Sequence, residues 1–569
     1  MAPAAATHPQ LRPPQMNQIF GYRKSAEAPD VAFRGTHAVF PASCHELASP
    51  RTVQVFTGDR SSVESYASPR QDAYVYVWGI PAHPAVASAL IPQWCARVAL
   101  ERNFERFREL LGSFVVIIDE PRQQRLSFVS DILGVRPLFV AERPDGIYFG
   151  SDVWALRDAG LSTGAVNYDA VAAWVAYGYN CSNGSLFAGV DRVPAGSVVV
   201  FEQGRRTEFL YGALRGGCEA ASAEQTADEL HHIVSSTVKT LLAEQARINI
   251  ALSGGYDSRY LLALCLRHMP ASAVTCTTID LGREGEVARQ VAATLRVAVD
   301  SIPVARSEWD LYDDVHHFGA DGFPISKFVT HCIAQRYQHM PMVNGFMGDS
   351  LIRGSHDTFL GQHETNWPPA ELAGVLQRKH MTVSFSMFRG DFARRLGARS
   401  RIPMDAAVER GGAIGKVFSW TDLFYRQRCY ISNNFLQHLD DAEALLPFYS
   451  WDLLQYKLSH QYRVFDHNIY RTIFERHCPA LVAVPHSSEL PPPRHGRSRI
   501  IRRWAGRLVR DMSRPQALTL LAKRHCALVA TACAFGYRDV ESAVMTMQRL
   551  HLFERRAAES RLDFDWDAV

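Results

Sequence analysis

No apolar run in this 569-residue sequence approaches the roughly 20 residues that a helix needs to cross a bilayer, which argues against a membrane span. Residues 1–16 are rich in alanine and proline but lack the apolar segment of a signal peptide, so a disordered start is expected. The formal net charge is only +3, and this low value indicates no polyelectrolyte partner such as nucleic acid.

Spacings typical of disulfide frameworks and metal sites are also missing. None of the 11 cysteines forms a CxxC pair, so we expect reduced thiols in the cytoplasm. The 22 histidines form no HExxH motif or other regular ligand spacing, which argues against a structural zinc site. A G-x-x-x-x-G-K-[ST] loop is absent too, which argues against transfer of the γ-phosphate of ATP.

A strand–turn–helix pattern over residues 247–264 carries the strongest functional signal in the chain. Its apolar run ends at a glycine pair, and a helical pattern resumes after Ser258. Glycines let the backbone approach a ligand closely, and the N-terminus of the following helix favours phosphate oxygens. Serine hydroxyls can donate to those oxygens, and an aspartate can bind a divalent cation. The alternative is an ordinary polar turn. The candidate ligand-binding residues of this pattern are Leu252, Ser253, Gly254, Gly255, Asp257 and Ser258.

The pattern of the chain changes near residues 212–222. Short strands with few long helices precede this break, as a two-sheet sandwich requires, and a long amphipathic helix follows it. Strands then alternate with helices, which indicates a doubly wound parallel sheet with ligands at the carboxyl ends of its strands. We assign residues 17–215 to a first domain and residues 222–569 to a second, mainly helical beyond about residue 415.

The SGGxDS sequence resembles the pyrophosphate loop of the nucleotide α-hydrolases, which split ATP into AMP and pyrophosphate. Residues 112–156 resemble the glutaminase-like half of asparagine synthetase B, with its G-x-F and D-x-x-G-x-x-P-L motifs beginning at Gly112 and Asp131. The resemblance implies an α/β multidomain fold. An N-terminal Ntn-hydrolase-like (class II glutamine amidotransferase-like) αββα sandwich would precede a PP-loop ATP pyrophosphatase sheet with a helical C-terminal extension. It also implies ATP and Mg²⁺ as cofactors.

A second loop, residues 343–350, resembles the family's G-x-G-x-D-E sequence, which faces the pyrophosphate loop across the nucleotide. The resemblance places Gly348 beside the nucleotide and lets Asp349 share a magnesium ion with Asp257. Ser350 stands where the family has glutamate and Met347 where it has glycine, so the loop departs from the family in detail. The alternative is a solvated loop aspartate after a strand.

Two departures from the family narrow the expected reaction. Glutamine-dependent members carry a nucleophilic cysteine directly after the initiator methionine, whereas Ala2 follows Met1 here and the first cysteine is Cys44. We therefore expect an inactive glutaminase half and a substrate that brings its own amine. The family's lysine, which steadies negative charge in the transition state, is also absent. Alignment puts His467 or Arg471 in its place without choosing between them.

These departures favour the lasso-peptide macrolactam synthetases, or lasso cyclases. The resemblance implies adenylation of an Asp or Glu side chain of a precursor peptide, attack by the peptide's N-terminal amine, and a leader peptidase as pathway partner. A small-molecule amide ligase, either a β-lactam synthetase or an ammonia-dependent asparagine synthetase, is the alternative. A silent binding module is disfavoured because the predicted magnesium ligands are intact. The family's C-terminal run is matched at Tyr470, Ile473, Pro479, Leu481 and Pro485.

Residues 494–514 contain eight arginines and a single acidic residue, and their apolar residues fall on one helical face. We therefore expect a basic helical tail from about residue 494. It would pack on the enzyme or, alternatively, dock a peptide or partner enzyme. No nucleic-acid-binding motif accompanies it.

Overall fold

The structure is a computed structural model, and it describes most of the chain between residues 19 and 569. The basic segment 494–514 predicted from the sequence lies outside the described residues. The described residues are 19–24, 44–47, 53–58, 62–158, 160, 164–217, 219–280, 282–303, 318–325, 330–353, 367–382, 388, 390–410, 414–436, 438–439, 441–460, 465, 468–490, 549–550 and 552–569.

The described N-terminal unit contains two antiparallel six-stranded sheets. Its strands are β1 (Ile19–Lys24), β2 (Cys44–Leu47), β3 (Val53–Gly58), β4 (Val63–Ala67), β5 (Tyr74–Gly79), β6 (Phe114–Glu120), β7 (Arg125–Ser130), β8 (Phe139–Arg143), β9 (Gly146–Gly150), β10 (Val190–Arg192), β11 (Ser197–Glu202) and β12 (Arg205–Leu210). The first sheet has the order β10-β8-β9-β1-β3-β2, and the second has the order β12-β11-β7-β6-β5-β4.

The two sheets stack through side chains that alternate along their strands. In β6, Val115 and Ile117 pack in the core between the sheets, whereas Val116 and Ile118 pack against α1 (Ile91–Leu100). Residues two apart in a strand share a face, so β6 is apolar on both faces. The first sheet buries its outer face against α2 (Val153–Asp158) and α3 (Tyr168–Tyr177). The αββα sandwich predicted from the sequence is thereby confirmed.

The second unit is built on a five-stranded sheet in which every described strand pair is parallel. Its strands, in the order β15-β14-β13-β16-β17, are numbered along the chain as β13 (Ile248–Ala251), β14 (Val274–Asp280), β15 (Val299–Pro303), β16 (Met342–Val343) and β17 (Ala444–Leu445). Helices α5 (Tyr256–His268) and α6 (Arg283–Thr294) connect β13 to β14 and β14 to β15. Because all strands run in one direction, their carboxyl ends meet at one edge of the sheet. The predicted parallel sheet is confirmed.

The remaining helices surround this sheet and the first unit. They are α4 (Ala223–Leu242), α7 (Thr330–Arg336), α8 (Pro369–His380), α9 (Gly390–Glu409), α10 (Ile414–Thr421), α11 (Asn433–Leu436), α12 (Trp451–Ser459), α13 (Ile469–His477), a helix over 552–559, and two π-helical segments, Asp349–Arg353 and Asp422–Ile431. The long helix predicted after the break is α4, and Ser222 caps it by accepting the Gln225 N–H at 3.1 Å. Within the described part of the chain, no helix is long and apolar enough to cross a membrane.

The two units are joined through the loop that follows β7. The carboxylate of buried Asp131 accepts a hydrogen bond from the hydroxyl of Tyr449 in the second unit. The N–H of Leu133 donates to the same hydroxyl at 2.7 Å. Arg136 forms an ion pair with Glu443 at 2.5 Å. These polar contacts fix the first unit against the end of the parallel sheet, while the domain boundaries themselves stay predictions.

Candidate functional site

Residues 253–258, here called the phosphate loop, comprise the turn after β13 and the first residues of α5, as the sequence predicted. Gly255 is the N-cap residue of α5. The N–H of Ser253 donates to the hydroxyl of Ser258 at 3.0 Å, and the two hydroxyl oxygens lie 3.1 Å apart. The serines therefore close a compact turn at a helix N-terminus, where the helix dipole and backbone amides favour an anion.

The second loop, residues 343–350, packs directly on the phosphate loop. A Cβ added at Gly348 would lie 2.5 Å from Cγ of Asp257, so no larger residue fits there without movement. A Cβ at Gly345 would lie 3.3 Å from Cβ of the same aspartate. Met347 adopts a φ of +71°, the left-handed conformation that glycine favours, at the place where the family has glycine. The second loop thus keeps its turn despite the substitution.

The carboxyl groups of Asp257 and Asp349 form the charged centre of this contact. Burial, with a smaller contribution from the charge of Asp349, raises the pKa of Asp257 to about 7. The hydroxyl of Tyr470 donates to Asp257 and opposes that rise. Asp349 in turn pairs with Arg353 at 3.8 Å. The two carboxylates are therefore close enough to repel each other, and a divalent cation would relieve this repulsion.

The donor set fits a magnesium ion that is bound together with a nucleotide. Mg²⁺ prefers oxygen ligands and commonly takes one or two carboxylates, with phosphate and water oxygens completing its shell. In the part of the chain that the structure describes, no group of three or more His, Cys, Asp or Glu side chains could hold a metal ion. Asp257 and Asp349, the pair predicted from the sequence, therefore have no third such ligand among the residues that the structure describes.

A second chain segment packs on the phosphate loop, and the sequence did not predict this contact. Residues 484–490, here called the covering segment, lie against Gly254, where an added Cβ would come within 2.6 Å of Cβ of Ser487. The N–H of Ser487 donates to the Gly254 carbonyl at 3.2 Å. The Glu284 carboxylate accepts hydrogen bonds from the Gly254 N–H and from the Ser487 hydroxyl, each at 2.9 Å. An acidic side chain therefore holds one amide of the loop.

Ser350, which stands where the family has glutamate, is buried at the end of the second loop. Its hydroxyl donates to Asp422 at 2.8 Å and accepts a hydrogen bond from Nε2 of Gln427 at 2.6 Å. Ser350 lies in one π-helical segment and its two partners lie in the other. Such segments are frequent at functional sites. Ser350 thus fastens the second loop to the helical region that follows the sheet.

Of the two residues proposed at the position of the family lysine, the structure describes Arg471 but not His467. The side chain of Arg471 is 73% exposed and pairs with Glu475 on the same helix at 2.9 Å, so the structure does not bring it to the loops. The preceding residue, Tyr470, is the one that contacts Asp257. His467 lies outside the described residues. Positive charge reaches the carboxylates from Arg353 instead.

Leu252, one of the predicted nucleotide contacts, lies directly before the phosphate loop. Leu252 is buried in the apolar core of the second unit, and its N–H donates to the Thr277 carbonyl at 2.7 Å. Its side chain therefore supports the phosphate loop from the sheet side. Ser253, Gly254, Gly255 and Ser258 lie within the phosphate loop, and Asp257 and Gly348 contact each other where the two loops meet.

The cysteines described in the first unit do not have the properties of a nucleophile. Cys95 and Cys181 are buried, and burial raises the pKa of both thiols above the ordinary value. A nucleophilic cysteine needs the opposite shift, because the thiolate is the reactive form. Cys44 lies on the edge strand β2, and its side chain is outside the described residues.

Two family models match the chain. One, described as a glutamine amidotransferase domain, matches residues 100–211. The other, described as asparagine synthase, matches residues 229–555, which is more than half of the chain. No curated protein matches the chain.

Several solved structures are similar to this chain, all at low scores. Glutamine phosphoribosylpyrophosphate amidotransferase from B. subtilis, complexed with ADP and GMP, has 10% identity and a TM-score of 0.21, over 59% of this chain and 77% of that chain. The allosteric regulatory enzyme of purine biosynthesis has 10% identity and a TM-score of 0.22, over 75% of this chain and 99% of that chain. NH3-dependent NAD synthetase from Campylobacter jejuni has 12% identity and a TM-score of 0.18, over 34% of this chain and 98% of that chain. TM-scores this low support no inference about activity.

The asparagine synthase match contains the parallel sheet, the phosphate loop and the second loop, and an Ntn-type glutamine amidotransferase domain precedes it. This arrangement identifies an ATP-dependent carbon–nitrogen ligase. The chain belongs to the asparagine synthase family.

Proposed function

We propose that this ligase activates a carboxylate as an acyl-adenylate, with the phosphates of ATP on the phosphate loop and Mg²⁺ between Asp257 and Asp349. One observation carries the proposal: Gly348 packs on the carboxyl group of Asp257. This contact joins the two loops just beyond the carboxyl ends of the neighbouring strands β13 and β16. Ligands of open parallel sheets bind at this edge.

The proposed reaction has two steps. A carboxylate oxygen attacks the α-phosphorus of ATP, and the bond to pyrophosphate breaks as the acyl-adenylate forms. An amine nitrogen then attacks the acyl carbon, AMP leaves, and the amine loses a proton. The hydroxyls of Ser253 and Ser258, which lie 3.1 Å apart, and the N-terminus of α5 would hold the leaving pyrophosphate. Bound Mg²⁺ would neutralise charge on the phosphates.

The acceptor amine is proposed to come from the substrate itself. The two buried thiols of the first unit favour the neutral form, which supports the view that glutamine is not the nitrogen source. The substrate class is proposed to be a precursor peptide whose Asp or Glu side chain joins its own N-terminal amine, giving a macrolactam. A leader peptidase would free that amine beforehand. The cytoplasm, where ATP is available, is the proposed compartment.

We expect the purified protein, with Mg²⁺, ATP and a peptide substrate, to release AMP and pyrophosphate in equal amounts. The reason is the SGGxDS loop at the N-terminus of α5, which is suited to holding a leaving pyrophosphate. Separation of the nucleotides by ion-exchange chromatography checks this expectation. ADP as the main product would contradict the proposed mechanism.

Glutamine is expected neither to be hydrolysed nor to stimulate amide formation. A glutaminase needs an activated thiolate, and burial opposes ionisation of both Cys95 and Cys181. The measurement is glutamate release from glutamine, with and without ATP and peptide. Glutamate release above that of a heat-inactivated sample would overturn the proposed source of nitrogen but leave the adenylation step standing.

A further inference from the structure

Arg259 lies beneath the phosphate loop, one turn into α5, and its side chain is completely buried. Its guanidinium donates to the carbonyl oxygens of Gly255 at 3.0 Å and Gly254 at 2.9 Å. It also donates to the carbonyl oxygens of Val484 at 2.7 Å and Pro485 at 2.9 Å. Burial of a guanidinium is costly unless its N–H groups find acceptors. Here the acceptors belong to the phosphate loop and to the covering segment.

These hydrogen bonds determine which way two peptide units face. A trans peptide unit is planar, and its C=O and N–H groups point in opposite directions. When Arg259 holds the Gly254 carbonyl, the N–H of Gly255 in the same peptide unit must point away from the guanidinium. The Gly255 carbonyl fixes the N–H of Tyr256 in the same way. The two amides at the start of α5 are therefore turned away from the buried arginine, and the Gly255 N–H donates to the hydroxyl of Ser253, itself a predicted phosphate contact, at 3.2 Å.

We propose that Arg259 is a positioning residue for phosphate binding: it holds the amides of Gly255 and Tyr256 toward the phosphates and fastens the covering segment to the loop. This inference rests on the proposed function, because it takes the phosphate loop as the binding site for the pyrophosphate part of ATP. Arg259 does not touch the phosphates. It acts through the backbone, and the planar fork of arginine suits this task because it reaches several carbonyls at once.

If Arg259 only stabilised the fold, its substitution would affect ligand binding differently. A substitution that only loosened the second unit would weaken every ligand of the site together. Loss of the two positioned amides, in contrast, weakens ligands that use those amides and spares the rest of the nucleotide. Inorganic pyrophosphate and AMP, which are the two halves of ATP, separate these cases.

The test is isothermal titration of the full chain with inorganic pyrophosphate plus Mg²⁺ and, separately, with AMP. For Arg259→Ala we expect the Kd for pyrophosphate to rise about 10-fold or more and the Kd for AMP to change less than about 2-fold. Arg259→Lys should fall between the wild type and the alanine variant, because an ammonium group cannot reach all four carbonyls. Arg267→Lys is the matched control: Arg267 is on the same helix and donates to the His477 carbonyl, so pyrophosphate binding should be unchanged.

Each outcome decides the matter. Equal weakening of pyrophosphate and AMP, or no weakening of either, would overturn the positioning role. If the alanine variant does not fold, the lysine variant gives the same comparison, and thermal unfolding with each ligand reports binding. Asp257→Ala separates this inference from the proposed function. If that variant binds Mg²⁺–pyrophosphate normally, the proposed site itself fails, whereas a loss there with unchanged Arg259 variants removes this inference alone.

Discussion

Asp257→Ala is expected to lower kcat/KM by about 10³-fold or more while the chain still folds, because a lost metal ligand removes several kcal/mol of charge stabilisation. The carboxyl group of Asp257 is packed against Gly348 and accepts a hydrogen bond from Tyr470, so it is held in one position. Burial is the main cause that raises the pKa of Asp257 to about 7. Ionisation of this carboxyl group therefore does not stabilise the folded chain. Asp349→Ala should have a comparable effect on turnover.

The test of Asp257→Ala needs two control variants. One keeps the shape of the Asp257 side chain, and the other replaces an aspartate by alanine away from the site. Asp257→Asn keeps the volume and an acceptor for Tyr470, so it should lose turnover without the loss of packing. Asp405→Ala removes a half-exposed aspartate that pairs with Arg401 on α9, and it should leave kcat/KM within about 2-fold. Steady-state pyrophosphate release measures turnover, and thermal unfolding measures the fold. Near-normal turnover with unchanged dependence on Mg²⁺ would remove that aspartate from the site.

The sequence predicted the parts of the site that are continuous in the chain. The SGGxDS pattern fixed a strand, a turn and a helix within about twenty residues, because an apolar run, two glycines and a helical repeat are all local signals. The approach of Asp349 to Asp257 could be predicted only from the resemblance of the second loop to a known motif. A local sequence pattern does not indicate which loops meet at the edge of a sheet.

The sequence did not predict contacts between distant segments. Arg259 follows the motif directly, but its partners Val484 and Pro485 lie more than two hundred residues further on. Glu284 and Ser487 meet over a similar span. Such contacts depend on how the segment after α13 returns to the sheet, and neither residue type nor spacing announces that path. The sequence shows only that an arginine follows the motif, and its burial and its partners are visible in the structure alone.

The sequence left His467 and Arg471 as alternatives, and the position of Arg471 away from the two loops has a related reason. Successive residues of an α-helix differ by about 100° around its axis, so a shift of one position changes which side chain faces the site. Tyr470 faces Asp257, whereas Arg471 extends into solvent beside Glu475. An alignment uncertain by a few residues cannot resolve such a difference, although the amphipathic pattern of α13 places Tyr470, Ile473 and Phe474 on its buried side.

None of the described cysteines of the first unit has the properties of a glutaminase nucleophile. The structure nevertheless gives this unit a supporting role. The carboxylate of Asp131 accepts hydrogen bonds from the N–H groups of Val135 and Arg136, at 2.8 and 3.0 Å, and from the hydroxyl of Tyr449. Tyr449 belongs to the segment that follows β17, at the end of the parallel sheet. Removal of one partner from a buried polar network leaves the others unsatisfied. The first unit is therefore part of the support of the synthetase sheet.

Acetylation of the peptide's N-terminus is expected to stop ring closure completely while adenylation continues. The first step uses only the side-chain carboxylate, so ATP–pyrophosphate exchange should persist at close to the rate with the free peptide. The second step needs an unprotonated amine held against the acyl carbon, and an acetylated nitrogen is not a nucleophile. The free peptide should lose one water, as measured by mass spectrometry, and the acetylated peptide should not.

A matched peptide with Asn or Gln in place of the reacting Asp or Glu completes the design, because it should support neither exchange nor ring closure. Exchange without ring closure in the acetylated peptide alone places the block at the second step, where a site that excludes water must keep the acyl-adenylate from hydrolysis. Ring closure by the acetylated peptide would mean that another amine of the peptide attacks. If no peptide loses water, and aspartate with ammonia gives asparagine efficiently, the enzyme is a small-molecule amide ligase. In that case the loops, the aspartates and the role of Arg259 would stand, and only the acceptor side of the reaction would be reassigned.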